Sequence, residues 1–247
     1  MKECIFNIIS NKKIAENTYE MVLSTPDKSN GVTNPGQFVN IKLDGYFLRR
    51  PISVCDWDDE TLTIVYKAVG KGTELMSTYE EGKAINVLTP LGNGYTTANI
   101  GDRPVLIGGG AGVPPMYGLC KTLVSEGKKP VVVLGFNTES EVFYTDKFEA
   151  LGVEVVIATA DGSVGVKGFV TDAVKDLEFT DFCTCGPEPM LKALNDAIAP
   201  EINGFMSFEE RMGCGFGACM GCSCETKYGY KRICKEGPVL ERGEIIW

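Results

Sequence analysis

The chain predicts a mixed fold, β and α/β: an N-terminal antiparallel β-barrel, a parallel α/β unit, and a small C-terminal unit organised around cysteines. Three observations predict it. Residues 1 to about 98 hold short alternating or β-branched runs broken by turns, the pattern of a barrel or sandwich. Residues from about 99 to 205 alternate apolar strands with helical stretches, which implies βαβ units. Residues from about 206 to 247 hold five of the ten cysteines and little periodicity. The expected units are therefore 1–98, 99–205 and 206–247, and the last needs something other than an apolar core to fold it.

With 247 residues, the chain exceeds one typical domain and buries roughly 70–75% of its extended surface. Hydrophobic residues make up 44% and charged residues 23%, the balance of a globular protein. Lys and Arg number 24 against 33 Asp and Glu, a formal charge of −9, so nucleic acid is not an expected partner. Histidine is absent. That removes His-based triads, His-ligated zinc, Rieske clusters and His general bases. Met1–Ser10 carries an early acid and no long apolar core, so no secretory signal is expected. No stretch approaches the roughly 18 apolar residues of a membrane-spanning helix. A leaderless, cysteine-rich chain points to the reducing cytoplasm, where clustered cysteines bind metal or do redox chemistry more often than they form disulfides.

In the first unit, strands are expected at Phe38–Leu43, Leu62–Tyr66 and Ala84–Leu88. Leu48-Arg49-Arg50-Pro51-Ile52-Ser53 ends one strand and begins another. An arginine such as Arg50 on a rigid strand can clamp a pyrophosphate, Pro51 fixes the backbone beside a planar ring, and Ser53 can hydrogen-bond a ring nitrogen. Ordinary exposed arginines are the plain alternative. Tyr66–Met76 runs from strand through a glycine turn into a helix. Thr73 is the expected N-cap, and Gly72-Thr73 opens a potential anion site, against the alternative of an ordinary capped helix.

In the second unit, Val105–Ile107, Val131–Gly135, Val153–Ala158 and Phe182–Gly186 read as buried strands. Gly108-Gly109-Gly110-Ala111-Gly112-Val113-Pro114 lies between strand and helix. Val113 stands where a G-x-G-x-x-G fingerprint needs its third glycine, so the standard Rossmann motif is rejected, while a phosphate at the helix start is kept. A tight structural turn is the alternative. Cys185-Gly186-Pro187 repeats the strand–turn–helix geometry and puts a thiol at the C-terminal strand edge, where open α/β sheets bind ligands. A buried small hydrophobe is the other reading of that cysteine.

In the third unit, Cys214, Cys219 and Cys222 form C-x4-C-x2-C, with Cys234 twelve residues further on. This is the plant-type [2Fe–2S] spacing, with the fourth cysteine nearer than usual. Glycines 213, 215, 217 and 221 permit positive φ and close backbone approach, so N–H groups can point at sulfur. A zinc site, more typically two C-x2-C pairs, and simple buried cysteines remain alternatives. Cys224 is a fifth thiol with no place on a four-ligand cluster.

In this order, the motifs resemble the ferredoxin–NADP reductase-like superfamily. With the cysteine tail they resemble, within it, the family of electron-transfer subunits of dihydroorotate dehydrogenase B, over essentially the whole chain. The resemblance implies an FAD-binding barrel (1–98), an NAD-binding α/β unit (99–205) and a [2Fe–2S] unit (206–247). It implies that Arg50, Pro51, Ile52 and Ser53 hold FAD, that Val65, Tyr66 and Lys67 line it, and that Gly72 and Thr73 bind its phosphates. Gly109, Gly110, Gly112, Cys185 and Gly186 fall to NAD, and Cys214, Cys219, Cys222 and Cys234 to the cluster. Ile52 replaces the aromatic of the broader reductases, which fits the narrower family. The implied partner is an FMN-containing dihydroorotate dehydrogenase catalytic subunit, in a heterotetramer of two plus two chains serving pyrimidine (UMP) biosynthesis. Hydride transfer between flavin and nicotinamide needs no protein acid or base, so no catalytic side chain is expected. A flavin and iron–sulfur reductase serving a ferredoxin- or sulfide-linked partner, and a zinc-stapled module without redox function, are the competing functions.

Two further expectations follow from the residues. The tip Gly135–Glu141 offers carboxylates to ribose hydroxyls and no base to a 2′-phosphate, with Lys147 the nearest, so NAD is expected over NADP. Met212, Phe216 and Met220 are expected to ring an exposed cluster edge as a docking patch. The apolar terminus Val239-Leu240 and Ile245-Ile246-Trp247 either frays or packs back on the barrel.

Overall fold

In the computed structural model, which describes residues 1–247, period-two alternation builds the first unit. β1 (Lys2–Ala15), β2 (Thr18–Ser24), β3 (Phe38–Ile41), β4 (Arg50–Trp57), β5 (Thr61–Lys67) and β6 (Ala84–Leu91) close into an antiparallel barrel in the order β1-β2-β5-β4-β3-β6. Every second residue faces inward, so Phe6 and Ile8, Met21 and Leu23, Val39 and Ile41, and Leu62 and Ile64 meet in one core. Closure leaves no strand edge unpaired. Helix α1 (Lys71–Ser77) follows β5 and buries Met76 against that core.

The second unit is wound from β7 (Val105–Gly109), α2 (Val113–Ser125), β8 (Val131–Phe136), α3 (Thr145–Glu149), β9 (Glu154–Thr159), β10 (Val166–Lys167), α4 (Val170–Ala173), β11 (Asp181–Cys185), α5 (Glu188–Ala197) and β12 (Asn203–Ser207). Val131, Val132, Val133 and Leu134 are all buried, because a parallel strand is covered on both faces. The sheet order is β10-β9-β8-β7-β11-β12, with a seventh strand beyond β12. β7 therefore lies beside β11, and the winding reverses between them. Such a reversal opens a crevice at the C-terminal strand ends.

The tail holds a hairpin, β13 (Ser223–Thr226) and β14 (Gly229–Arg232), and then β15 (Val239–Glu241), the seventh strand. β15 pairs antiparallel with β12, Leu240 opposite Met206. The terminus thus neither frays nor simply packs on the barrel: Val239, Leu240 and Ile245 are buried, while Ile246 and Trp247 stay exposed. The expectation of a tail without an apolar core is also corrected. Ile233, Cys222, Cys234, Leu240 and Ile245 are buried together with Met206 and Phe208 of the sheet. No period betrays this core, because its residues come from loops and from one three-residue strand that bridge a sheet edge.

Barrel and sheet are joined by packing and by ion pairs. Gly118 lets α2 lie on β4, since a Cβ there would press into the Cys55 carbonyl. Lys121 meets Asp56 at 2.8 Å, and Lys147 meets Glu20 at 2.5 Å. The buried Tyr95 hydroxyl donates to the Thr184 carbonyl at 3.0 Å.

Candidate functional site

Adjacent strands β4 and β5 and the start of α1 bring most of the expected flavin residues to one cavity of about 310 Å³. Pro51, Ile52, Ser53, Val65, Tyr66, Lys67 and Thr73 line it, joined by Phe208, Glu210 and Met212 from the far side. Arg50 and Gly72 stand just outside and against each other: a Cβ on Gly72 would collide with the Arg50 guanidinium. That guanidinium also lies 4.8 Å from the Tyr46 ring centroid, and its Nη1 donates to the Leu48 carbonyl at 2.6 Å. A fixed cation over the start of a helix is a cradle for a pyrophosphate. Thr73 is not the N-cap. Gly70 holds that position, and the Thr73 hydroxyl, one turn in, accepts from the N–H groups of Val69 and Gly70 at 3.2 and 3.3 Å. Reaching back to the N–H groups ahead of the helix is the work a capping box gives its third residue.

The crevice at the winding reversal is a cleft of about 560 Å³. Gly109 at the end of β7 and Gly110 in the turn after it line the cleft, with Pro187, Pro189 and Met190 at the start of α5. Gly112, Cys185 and Gly186 lie behind its wall. A Cβ on Gly112 would fall on the Cys185 carbonyl, and one on Gly186 on Met190. Burial pushes the Cys185 thiol up, so it stays protonated. At the other end of the cleft stand Asn137, Glu141, Phe169 and Thr171. The Glu141 carboxylate accepts from Lys67 Nζ at 3.1 Å and from Asn137 Nδ2 at 3.1 Å to each oxygen. Burial acts to raise its pKa, but these partners hold it below the usual carboxylate range. Lys147, the base nearest in sequence, is committed to Glu20.

Sequence reasoning missed Glu209. It lines both the cleft and the barrel cavity, as do Lys67 and Ala111. Nothing in Glu209-Glu210-Arg211 distinguishes it from a surface charge; only the two cavities meeting there do.

The four expected ligand cysteines stand as two pairs. Cys219 donates its N–H to the Cys214 sulfur at 3.5 Å, and Cys234 its N–H to the Cys222 sulfur at 3.4 Å. Two thiols per iron is what a binuclear cluster asks of four cysteines. Among the described residues, no three Cys, Asp or Glu groups gather closely enough to hold a single metal ion. The Cys214 sulfur accepts from the N–H groups of Phe216, Ala218 and Cys219 at 3.5, 3.2 and 3.5 Å. Burial opposes ionisation there, but these donors draw the thiol down to about 6. Burial and the neighbouring Cys222 instead push Cys234 up to about 12. The glycines divide the labour: Gly215 and Gly217 take positive φ, while a Cβ on Gly213 or Gly221 would sit 3.1 or 3.5 Å from the Cys219 sulfur. Cys219 is exposed, and Cys222 and Cys234 are buried. The expected apolar ring splits. Phe216 and Met220 are exposed, but Met212 turns inward to the barrel cavity. Cys224 lies on β13 opposite Lys231, its thiol turned to the Glu225 carbonyl at 3.8 Å.

Residues 209–246, which include all four cysteines, match the family model of the iron–sulfur cluster binding domain of dihydroorotate dehydrogenase B. Residues 106–196 match that of the oxidoreductase NAD-binding domain. The chain is 44% identical to the dihydroorotate dehydrogenase B (NAD(+)), electron transfer subunit, of Bacillus pumilus, covering 99% of this chain and 98% of that one. It is also 44% identical to the subunit of the same name from Fusobacterium nucleatum, covering 95% of each. The chain belongs to this family of electron transfer subunits. Its members' fold extends to the solved NADH-dependent reduced ferredoxin–NADP oxidoreductase, similar at TM-score 0.87 and 30% identity over 99% of this chain and 90% of that one. A ferredoxin NADP+ reductase from Neisseria gonorrhoeae shares the fold at TM-score 0.69 and 18% identity, over 80% and 90% of the two chains. As a member of the electron transfer subunit family, the chain is an NAD-linked oxidoreductase subunit with an iron–sulfur domain at its C-terminus. Among the described residues no helix is long and apolar enough to cross a membrane.

Proposed function

We propose that this chain carries electrons from an FMN-containing dihydroorotate dehydrogenase catalytic subunit, through a [2Fe–2S] cluster and FAD, to NAD+ in pyrimidine biosynthesis. The division into FAD (1–98), NAD (99–205) and cluster (206–247) units is part of this reading, as are a cytoplasmic location and a two-plus-two heterotetramer. The observation that carries it is that the barrel cavity adjoins the cleft across Lys67, Ala111 and Glu209, and adjoins the cysteine loop across Glu210 and Met212. Three sites in line suit a relay.

In this reading Pro51, Ile52, Ser53, Val65 and Tyr66 enclose the flavin ring, and Arg50 with Gly72 and Thr73 holds its pyrophosphate. Gly109 and Gly110 take the dinucleotide backbone, with Gly112, Cys185 and Gly186 shaping the wall behind. Cys214, Cys219, Cys222 and Cys234 hold the cluster. When bound, flavin and nicotinamide exchange hydride directly, so the protein need only orient them and keep water out. The exposed Phe216 and Met220 beside Cys219 give the partner an apolar landing next to the cluster. A reductase serving a ferredoxin-linked partner finds support in the 30% likeness to the reduced ferredoxin–NADP oxidoreductase. The 44% relatives over nearly full length favour the first reading.

The purified chain should carry flavin and two irons, reduce artificial dyes with NADH and leave dihydroorotate untouched. Co-expression with an FMN-bearing dehydrogenase should give a stable complex that oxidises dihydroorotate with NAD+. Dihydroorotate oxidation by the single chain, or no co-eluting partner, would overturn the division of labour.

A further inference from the structure

Strand β3 places an asparagine where the barrel meets the cysteine loop. The β3–β4 register pairs Phe38 with Ser53 and Asn40 with Pro51. Paired residues share a face, and alternate residues along a strand return to it, so Phe38, Asn40, Pro51 and Ser53 lie on one side. Phe38, Pro51 and Ser53 line the barrel cavity, and Asn40 continues the same face beyond it. The Asn40 side chain is 1% exposed. Its Nδ2 donates to the Cys214 carbonyl at 3.3 Å.

The loop is shaped to receive it. Gly215 has φ +81°, and a Cβ there would collide with Asn40 Nδ2. Asn40 Oδ1 is buried without a partner. A buried amide half unsatisfied is a poor choice for a barrel wall, where an apolar side chain leaves nothing unpaired. The fold keeps it, and its one side-chain bond goes to the backbone of a cysteine in the loop. The strand itself is secured from outside, where Arg49 Nη1 donates to the Asn40 carbonyl at 3.2 Å.

We infer that Asn40 is a positioning residue for electron transfer: through its amide's bond to the Cys214 carbonyl it registers the cluster loop against the flavin face of the barrel. This rests on the proposed reading of those sites. Electrons cross this boundary one at a time, so the gap that Asn40 sets governs the rate between FAD and cluster. NADH reduction of FAD across the neighbouring cleft does not pass through it.

The test uses the full chain with its cofactors, mixed anaerobically with NADH, and compares flavin bleaching with cluster reduction in the same trace. Asn40→Ala should slow the cluster phase relative to the flavin phase about tenfold or more, as small misplacements in reacting geometry do. The reduced cluster's EPR line shape should also change, with iron content retained. Asn40→Asp keeps the size, removes the donor and should act alike. Gly215→Ala should mimic both, since its Cβ would displace the Asn40 amide and a side chain at φ +81° strains the loop besides. An unchanged phase ratio and EPR signature in Asn40→Ala with iron bound overturns the inference while leaving the proposed function standing. So does loss of iron with a normal ratio in the clusters that remain, which marks a merely structural role. A wild-type chain lacking iron and flavin overturns both.

Discussion

Cys214 and Cys224 are ten residues apart and have opposite chemistry. Backbone N–H donors draw the Cys214 thiol down to about 6. Burial, then Glu210, Glu188 and Glu225, push Cys224 up. Cys234 is pushed up as well, so placement separates ligand from bystander: the four expected cysteines are joined in pairs by N–H to sulfur bonds, and the Cys224 thiol turns to the Glu225 carbonyl at 3.8 Å. Serine at Cys214, Cys219, Cys222 or Cys234 should therefore strip iron from the chain, and serine at Cys224 should leave it. Iron analysis of the five variants decides this, and iron lost from the Cys224 variant but kept by the Cys234 variant would sink the ligand set. A second residue-scale device is Arg232. Its Nη1 donates to the Gly217 carbonyl at 2.7 Å, while its Nε and Nη2 hold Glu236. The Arg232 pair holds the Glu236 carboxyl down at about 2, against an ordinary 4.5. A depressed carboxylate lends its stability above the unfolded value and loses it as pH falls through the folded one. The tail should therefore loosen between about pH 4.5 and 2. Glu236→Gln should abolish that step, as followed by thermal melts down the pH range.

The glycine loop between β7 and α2 shows how one stretch serves two purposes. Gly109 and Gly110 face the cleft, while Gly112 faces the other way and lets α2 approach the end of β11. Gly112→Ala should cost about 3 kcal/mol, the upper end of over-packing, because backbone cannot step aside as a side chain can. Chemical denaturation measures this, and a loss below about 1 kcal/mol would show that the loop yields. The resemblance assigned Gly109, Gly110 and Gly112 to one role. Sequence spacing separates them no further, since which way a turn presents each residue depends on strands β7 and β11 being neighbours. In the cysteine loop the motif stands out in the sequence, because three of the four expected cysteines fall within a span of nine. Asn40 does not, because its partner lies 174 residues away.

Across the whole molecule, the cleft carries one cation among its lining residues, Lys67, and Glu141 engages it. A 2′-phosphate entering beside Glu141 would meet a carboxylate with no free base to offset it. NADH should outperform NADPH in kcat/KM for dye reduction by about tenfold or more, the ratio that 1.4 kcal/mol of repulsion gives. Equal values for the two cofactors would rule the argument out. The same juxtaposition sets the order of the relay, since the cleft touches the barrel cavity and the barrel cavity touches the cysteine loop. The tail is held in that arrangement by β15 on β12 and by Ile233 and Ile245 in the sheet's core.

Local information sufficed for the three textures of the chain, for the barrel and the wound sheet, and for the cluster spacing. Alternation, strand–glycine–helix punctuation and cysteine intervals all operate over a dozen residues or fewer, and the backbone obeys them wherever the segment lands. Proximity between distant segments obeys no such rule. That Glu209 and Lys67 stand between two cavities, that Met212 turns in while Phe216 and Met220 turn out, and that the last strand closes on β12 all depend on packing. So does the meeting of Asn40 with Cys214. Each brings together residues whose spacing along the chain carries no signal, and only the burial of apolar faces against one another puts them in reach.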